Sequence, residues 1–179
     1  MSEVLIGAGK ATGMFYTAPK GTSLPETPGT TPGSAWQLVG DISEDGISLK
    51  LPSGDVIKNW ALVAKRKINT ENGEVSAPIM DTTKKVLETL FGAGNVATTA
   101  AGQTHGQISS VELAPDVVAE PAAYLFLMKD GDTLAMVGSS DALITDIADI
   151  SFKPGDAAVW NATINGTWTF AIDDGEVTT

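Results

Sequence analysis

Only one segment of this 179-residue chain repeats its apolar residues at helical spacing: Asp81 to Phe91, DTTKKVLETLF. Val86, Leu87, Leu90 and Phe91 fall on one stripe, Asp81 is placed to accept from the free amides of the first turn, and Gly92 supplies the stop. Almost everything else alternates with period two or carries turn residues. Many short strands beside one helix can bury their apolar faces only by packing sheet against sheet. The pattern therefore predicts a mainly β, α+β fold of two packed antiparallel sheets, as a sandwich or rolled barrel, with a single flanking helix.

Strands are predicted at 13–17, 36–42, 47–51, 57–68, 74–79, 106–113, 122–128, 133–137, 149–152, 157–164 and 167–172. The strongest pair is AAVWNATINGTWTFAI, in which Asn165-Gly166 predicts a two-residue turn with positive φ, and Trp168, Phe170 and Ile172 alternate onto one face. YLFLMKDGDTLAMV predicts a second hairpin turning at Asp130-Gly131. The whole chain, 1–179, reads as one domain, with a flexible arm at 1–12 and a carboxyl-terminal tail at 173–179. A projecting hairpin is predicted at 43–59, with turns at Glu44-Asp45-Gly46 and Pro52-Ser53-Gly54. NVATTAAGQTHG, after the helix, reads as a mobile loop of small residues. The stretch 17–36, TAPKGTSLPETPGTTPGSAW, holds four of the nine prolines and reads as a long loop, which in a compact domain points to function.

Charge narrows the function. The net charge is -11, yet residues 1–92 hold ten acidic and nine basic side chains while residues 93–179 hold twelve and two. An acidic second half repels the phosphate backbone, whose affinity for proteins comes mainly from Lys and Arg. Any meeting with DNA would be passage, not adhesion. There is no cysteine, which removes disulfides and thiol chemistry. The start lacks a charged region followed by an apolar run, and no run of eighteen apolar residues occurs, so neither a signal peptide nor a membrane span is expected, and the protein is expected to be made and left in a cytoplasm.

Sites for chemistry are sparse. GAGKAT at 7–12 lacks two features of a phosphate loop: Val4 stands where the first glycine belongs, and Ala11 where Ser or Thr must follow the lysine. His105 has no second histidine to complete a zinc site. KDGDT, TDIAD and DDGE lack the alternating ligand spacing of a calcium loop and read as turns and solvated faces. Asn161 and Asn165 lie in N-x-T sequons, which carry no meaning without secretion. No catalytic residue, metal or cofactor is assigned.

GMFYTAPKGTSLPETP followed by AWQLVGDISEDGI resembles the amino-terminal signature of major tail tube proteins of long-tailed (siphovirus-type) bacteriophages. KNWALVAKRKI, EVSAPIM and DTTKKVLETLFG are similar to that family's next segments in the same order, so the resemblance spans residues 13–92. It implies a non-enzymatic virion subunit, assembled in the host cytoplasm into homo-hexameric rings that stack into a hollow tube. Other tail proteins (tape measure, tail terminator, tip) would be partners, and DNA would cross a negative lumen without specific binding. Expected assembly residues are Pro19, Gly21, Leu24 and Pro25 in the long loop, laid against an adjacent subunit, and Ile47, Leu49 and Leu51 in the hairpin. Lys65, Arg66 and Lys67 form a basic patch for an acidic neighbour. Asp130, Asp132, Asp141, Asp146 and Asp149 are the candidate lumen carboxylates. Two other readings stay open: a β-sandwich binding module, carbohydrate-binding or adhesin-like, stacking sugar on Trp36, Trp60, Trp160 or Trp168, and the inner tube of a contractile tail.

Overall fold

Alternation along Ala123–Leu127 sends Tyr124 and Phe126 to one side and Ala123, Leu125 and Leu127 to the other, and the first four are all buried. A strand apolar on both faces must lie between two covers. The computed structural model, which describes residues 13–43, 45–50, 56–58, 64–66, 73–113, 119–130, 132–148, 150 and 158–173, shows what they are. In chain order the strands are β1 (Gly13–Pro19), β2 (Gln37–Asp41), β3 (Ser48–Lys50), β4 (Val56–Lys58), β5 (Ala64–Arg66) and β6 (Gly73–Ile79), then helix α1 (Lys84–Phe91). After it come β7 (Val96–Thr99), β8 (Ile108–Val111), β9 (Ala122–Asp130), β10 (Thr133–Ile147), β11 (Trp160–Gly166) and β12 (Thr169–Asp173).

The main sheet runs β2-β1-β9-β10-β11-β6-β3, with β12 also on β10 and all pairs antiparallel. The two layers are halves of one sheet. β10 is fifteen residues long and breaks register between Ser139 and Ala142, where a bulge lets the strand turn from one layer into the other. Ser139 Oγ holds that bulge, accepting from the Asp141 amide at 3.3 Å. On the far side Ile42 bridges to Ile79, and its amide donates to the Gly13 carbonyl at 3.0 Å. The sheet is thereby rolled into a barrel. The fold is mainly β with one helix, as expected.

Inside the barrel Phe15, Tyr124, Phe126, Val75, Ile79 and Ile164 are fully buried, with Phe15 and Phe126 stacked at 4.7 Å between ring centroids. α1 adds Val86 and Leu90 to this cluster, and Phe91 meets the edge of Trp160 at 5.9 Å. Burying each of those aliphatic side chains is worth about 1.5–3 kcal/mol, which holds a helix too short to persist alone. Gly92 ends it at φ 85, as expected. The N-cap differs from expectation. Thr83 Oγ1 accepts from the Val86 amide at 3.3 Å, while Asp81 turns back to accept from the Asp41 amide at 2.9 Å and ties the helix entry to β2.

The second hairpin forms, but Asp130 is itself paired with Thr133, so the reversal falls between them, one residue later than the expected Asp130-Gly131 turn. The one at Asn165-Gly166 does not form. β11 pairs with 142–147 of β10 and β12 with 134–138 of the same strand, so the chain passes Gly166 without reversing and continues along β10. Trp168 marks the step, donating from Nε1 to the Gly73 carbonyl at 3.1 Å. The single strand expected at 57–68 is two short strands, β4 and β5, that pair with each other. The strand expected at 149–152 lies outside the described residues apart from Ile150, which is in no strand.

Tyr124 sits deep in the barrel, and burial pushes its phenol up to about 12. A folded-state pKa above the unfolded value of 10 favours the protonated, folded form below pH 10, and that advantage disappears as pH rises through 12. Base should therefore remove about 2–3 kcal/mol of stability between pH 10 and 12. Urea midpoints at pH 8 and pH 11 measure the loss, and Tyr124→Phe should reduce the dependence.

Candidate assembly surfaces

The outer face of β1, β9 and β10 carries a second apolar cluster of Ala18, Ala123, Leu125, Met136 and Trp36, with Leu24 packed against it. Trp36 and Leu24 come from the long loop, which is thus a strap over its own sheet and not slack chain. Leu24 lies where Gly138 has no side chain, its Cδ2 only 2.6 Å from the site a Cβ would take. Pro28 is buried and Pro25 half-buried. Gly21, at φ 84, donates its amide to the Ser140 carbonyl at 2.7 Å, and the Pro19 carbonyl accepts from Thr22 Oγ1 at 2.6 Å. Trp36 Nε1 donates to the Ser23 carbonyl at 3.4 Å. Leu24, Pro28 and Trp36 are spent within the chain, so a neighbour would meet the loop's exposed Lys20–Gly21 and Gly29–Thr31.

The predicted projecting hairpin splits. Gly46 N donates to the Ser43 carbonyl at 2.9 Å with Gly46 at φ 68, so the first turn is present. The strand after it returns to the main sheet as β3 on β6, with Ile47 packed against the barrel interior and Leu49 37% exposed. Leu51 and Lys67 lie outside the described residues. Lys65 and Arg66 stand in β5, opposite Ile57 and Val56. Deleting Ser43–Asn59 therefore removes two strands, β3 from the main sheet and β4 from its pair with β5, and an interior contact. It should lower the melting temperature by several degrees or unfold the chain, as read by circular dichroism.

Among the described residues the candidate lumen aspartates Asp130, Asp132, Asp141 and Asp146 are spread from the β9–β10 turn to the far end of β10. Asp130 and Thr133 close the β9–β10 turn with the exposed Asp132 between them, and Asp146 stands exposed near the other end of β10. Thirteen residues lie between Asp132 and Asp146 along the strand, roughly 45 Å of chain. Asp141, at the bulge, pairs with Lys20 at 2.9 Å across an exposed surface. Asp149 lies outside the described residues. Beside Asp146 the outward face of β3, β6 and β11 is polar: Ser48, Ser76 and Thr163 form one row, and Lys50, Glu74 and Asn165 the next. Asn165 Nδ2 donates to Thr145 Oγ1 at 2.8 Å, and Lys50 lies 3.8 Å from Glu74.

Sequence reasoning missed two surfaces. The first is apolar: Phe170 and Ile172 on β12 are each 53% exposed, and Leu38 on β2, at the opposite flank of the same layer, is 51% exposed. Their alternation was visible, but only the pairing of β12 with β10 shows that nothing among the described residues fully covers them. The second rests on β7, which stands where a loop of small residues was expected and pairs with β8, inside the strand expected at 106–113, as a separate two-stranded ribbon.

Three of the four tryptophans are engaged in the chain's own packing. Trp36 and Trp160 are buried, and Trp168 is half-buried and hydrogen-bonded, which leaves none of the three as an open platform for a sugar ring. Trp60 lies outside the described residues. Among the described residues no three His, Asp or Glu side chains converge as a metal site, and no helix is long and apolar enough to cross a membrane.

A family model described as phage tail tube protein matches residues 2–165. A search of curated proteins finds no match.

Proposed function

The chain belongs to the phage tail tube protein family, and from that membership we propose that copies of it close into hexameric rings which stack into the hollow tube of a virion tail. The observation that carries the reading is the family match across nearly the whole chain. In this reading the protein is structural and not an enzyme. Tape measure, terminator and tip proteins meet the tube at its bore and its ends.

Ring closure needs a heterologous interface, one patch meeting a different patch on the next copy. The exposed side chains at the two flanks of one layer, Leu38 on β2 and Phe170 with Ile172 on β12, supply two such patches on opposite sides. The polar outward face of β3, β6 and β11 suits a wall against water, and the acidic second half supplies charge that keeps a duplex from adhering. With a Debye length of about 8 Å at physiological salt, only carboxylates close to the bore act on passing DNA. The exposed rim of the long loop, Leu49 on β3, and Lys65 with Arg66 in β5 would then join neighbouring copies.

Sedimentation velocity across a concentration series tests this. A tube subunit should pass from monomer to a ring-sized species and then to polymer as concentration rises. A single monomer boundary at every concentration, with and without tail tip complexes, would contradict it.

A further inference from the structure

We infer that Asn165 is a site of covalent modification that the fold holds shut: its side-chain amide is lost to attack by the Gly166 backbone nitrogen when the ladder opens, and the Thr145 hydroxyl restrains it until then. The inference goes beyond the assembly reading and needs no second copy of the chain.

The liability lies in the sequence. Asn165-Gly166 is one of two Asn-Gly steps, the other being Asn72-Gly73. Glycine leaves its own nitrogen unscreened by a side chain and gives the backbone the freedom that the attack needs. The Gly166 nitrogen gives up its proton and bonds to Asn165 Cγ, the Cγ–Nδ2 bond breaks, and ammonia leaves with that proton. Water then opens the imide ring at either carbonyl, giving aspartate or isoaspartate with no change of oxidation state. A side chain in place of the glycine is barred, because Ala142 Cβ lies 2.5 Å from the point a Cβ would take.

The fold opposes the attack twice. Nitrogen and Cγ must meet at close range with aligned orbitals. Asn165 and Gly166 are instead fixed in extended pairing on both sides, with Leu143 and Ala142 of β10 and with Glu74 and Gly73 of β6. The leaving group is held as well. β10 shifts register between Ile144 and Asp146, so Thr145 is the extra residue of a bulge, which re-aims its side chain. Its hydroxyl accepts from Asn165 Nδ2 at 2.8 Å and donates to the Thr163 carbonyl at 3.4 Å. With the hydroxyl proton turned to a carbonyl, the oxygen offers lone pairs to the amide, which fixes the amide's orientation.

Reaction is thereby confined to openings of the ladder. Once it has happened it weakens that ladder. An aspartate at this position would stand directly opposite Glu74, like charge against like, and isoaspartate would add a carbon to the backbone of β11 and break its register.

Mass spectrometry of digests, taken from folded and from urea-unfolded protein held at pH 8, reads the conversion of amide to acid. In urea Asn165 should react at a rate close to that of Asn72. In the folded chain it should react at least about tenfold more slowly than in urea, since only the opened ladder is competent. Thr145→Val keeps the β-branched shape without the hydroxyl and should speed the folded-state reaction by about three- to tenfold, the worth of one hydrogen bond, while Thr145→Ser holds the parent's rate. No reaction at Asn165 in urea, or equal rates in urea and in the folded chain, would overturn the protected site. A folded-state rate in Thr145→Val equal to the parent's would overturn the part given to Thr145.

Discussion

Gly166→Val should cost about 3 kcal/mol of stability, the upper part of the range for forcing atoms into a filled site, and lower the melting temperature by about 6–12 °C. A Cβ at Gly166 would stand 2.5 Å from Ala142 Cβ and 3.0 Å from both Ala142 Cα and the Asp141 carbonyl oxygen, so the backbone of β10 at its bulge would have to move. The prediction separates two uses of one glycine. In an Asn-Gly turn the residue would need positive φ, and Asn, which tolerates that conformation, would be the mildest replacement. Among the described residues the positive-φ glycines are Gly21, Gly46 and Gly92, and Gly166 is needed for close approach. Gly166→Asn should therefore be worse than Gly166→Ala; the reverse order in thermal melts would restore the turn.

Replacing Phe170 and Ile172 together by serine should leave a folded monomer that no longer forms polymer. Both side chains are about half exposed in the single chain, so little interior packing is lost. If they are anchors of the ring contact, each contributes about 2 kcal/mol there, and since each 1.4 kcal/mol is tenfold, the pair should raise the assembly threshold by about three orders of magnitude. Near-native melting with loss of the fast boundary in sedimentation is the expected pattern. Unchanged assembly would place the ring contact elsewhere.

The parts of the fold that were legible in the sequence are those whose signal is local. The α1 stripe, its Gly92 stop, the β9–β10 hairpin and the mainly β class follow from periodicity and from turns whose partners are adjacent in sequence. The Asn165-Gly166 step was misread because its outcome depends on a strand more than twenty residues earlier: long β10 offers one edge to both β11 and β12, and that pairing prevails over the local turn signal. The long loop looked structureless because Leu24, Pro28 and Trp36 follow no period, and only the bare backbone of Gly138 shows where Leu24 belongs. β7 was invisible for a related reason, since Ala and Thr in a run give no contrast between faces. For the assembly surfaces the sequence supplied residue types and the fold supplied exposure. Alternation named Phe170 and Ile172 as one face, and the ladder to β10 leaves that face half open.

Electron microscopy of the concentrated, unmodified chain tests the central claim most directly. Hollow tubes of one uniform diameter, built from stacked six-fold rings, are the predicted result. Particles that remain single subunits at every concentration, and beside tail tip complexes as well, would contradict it.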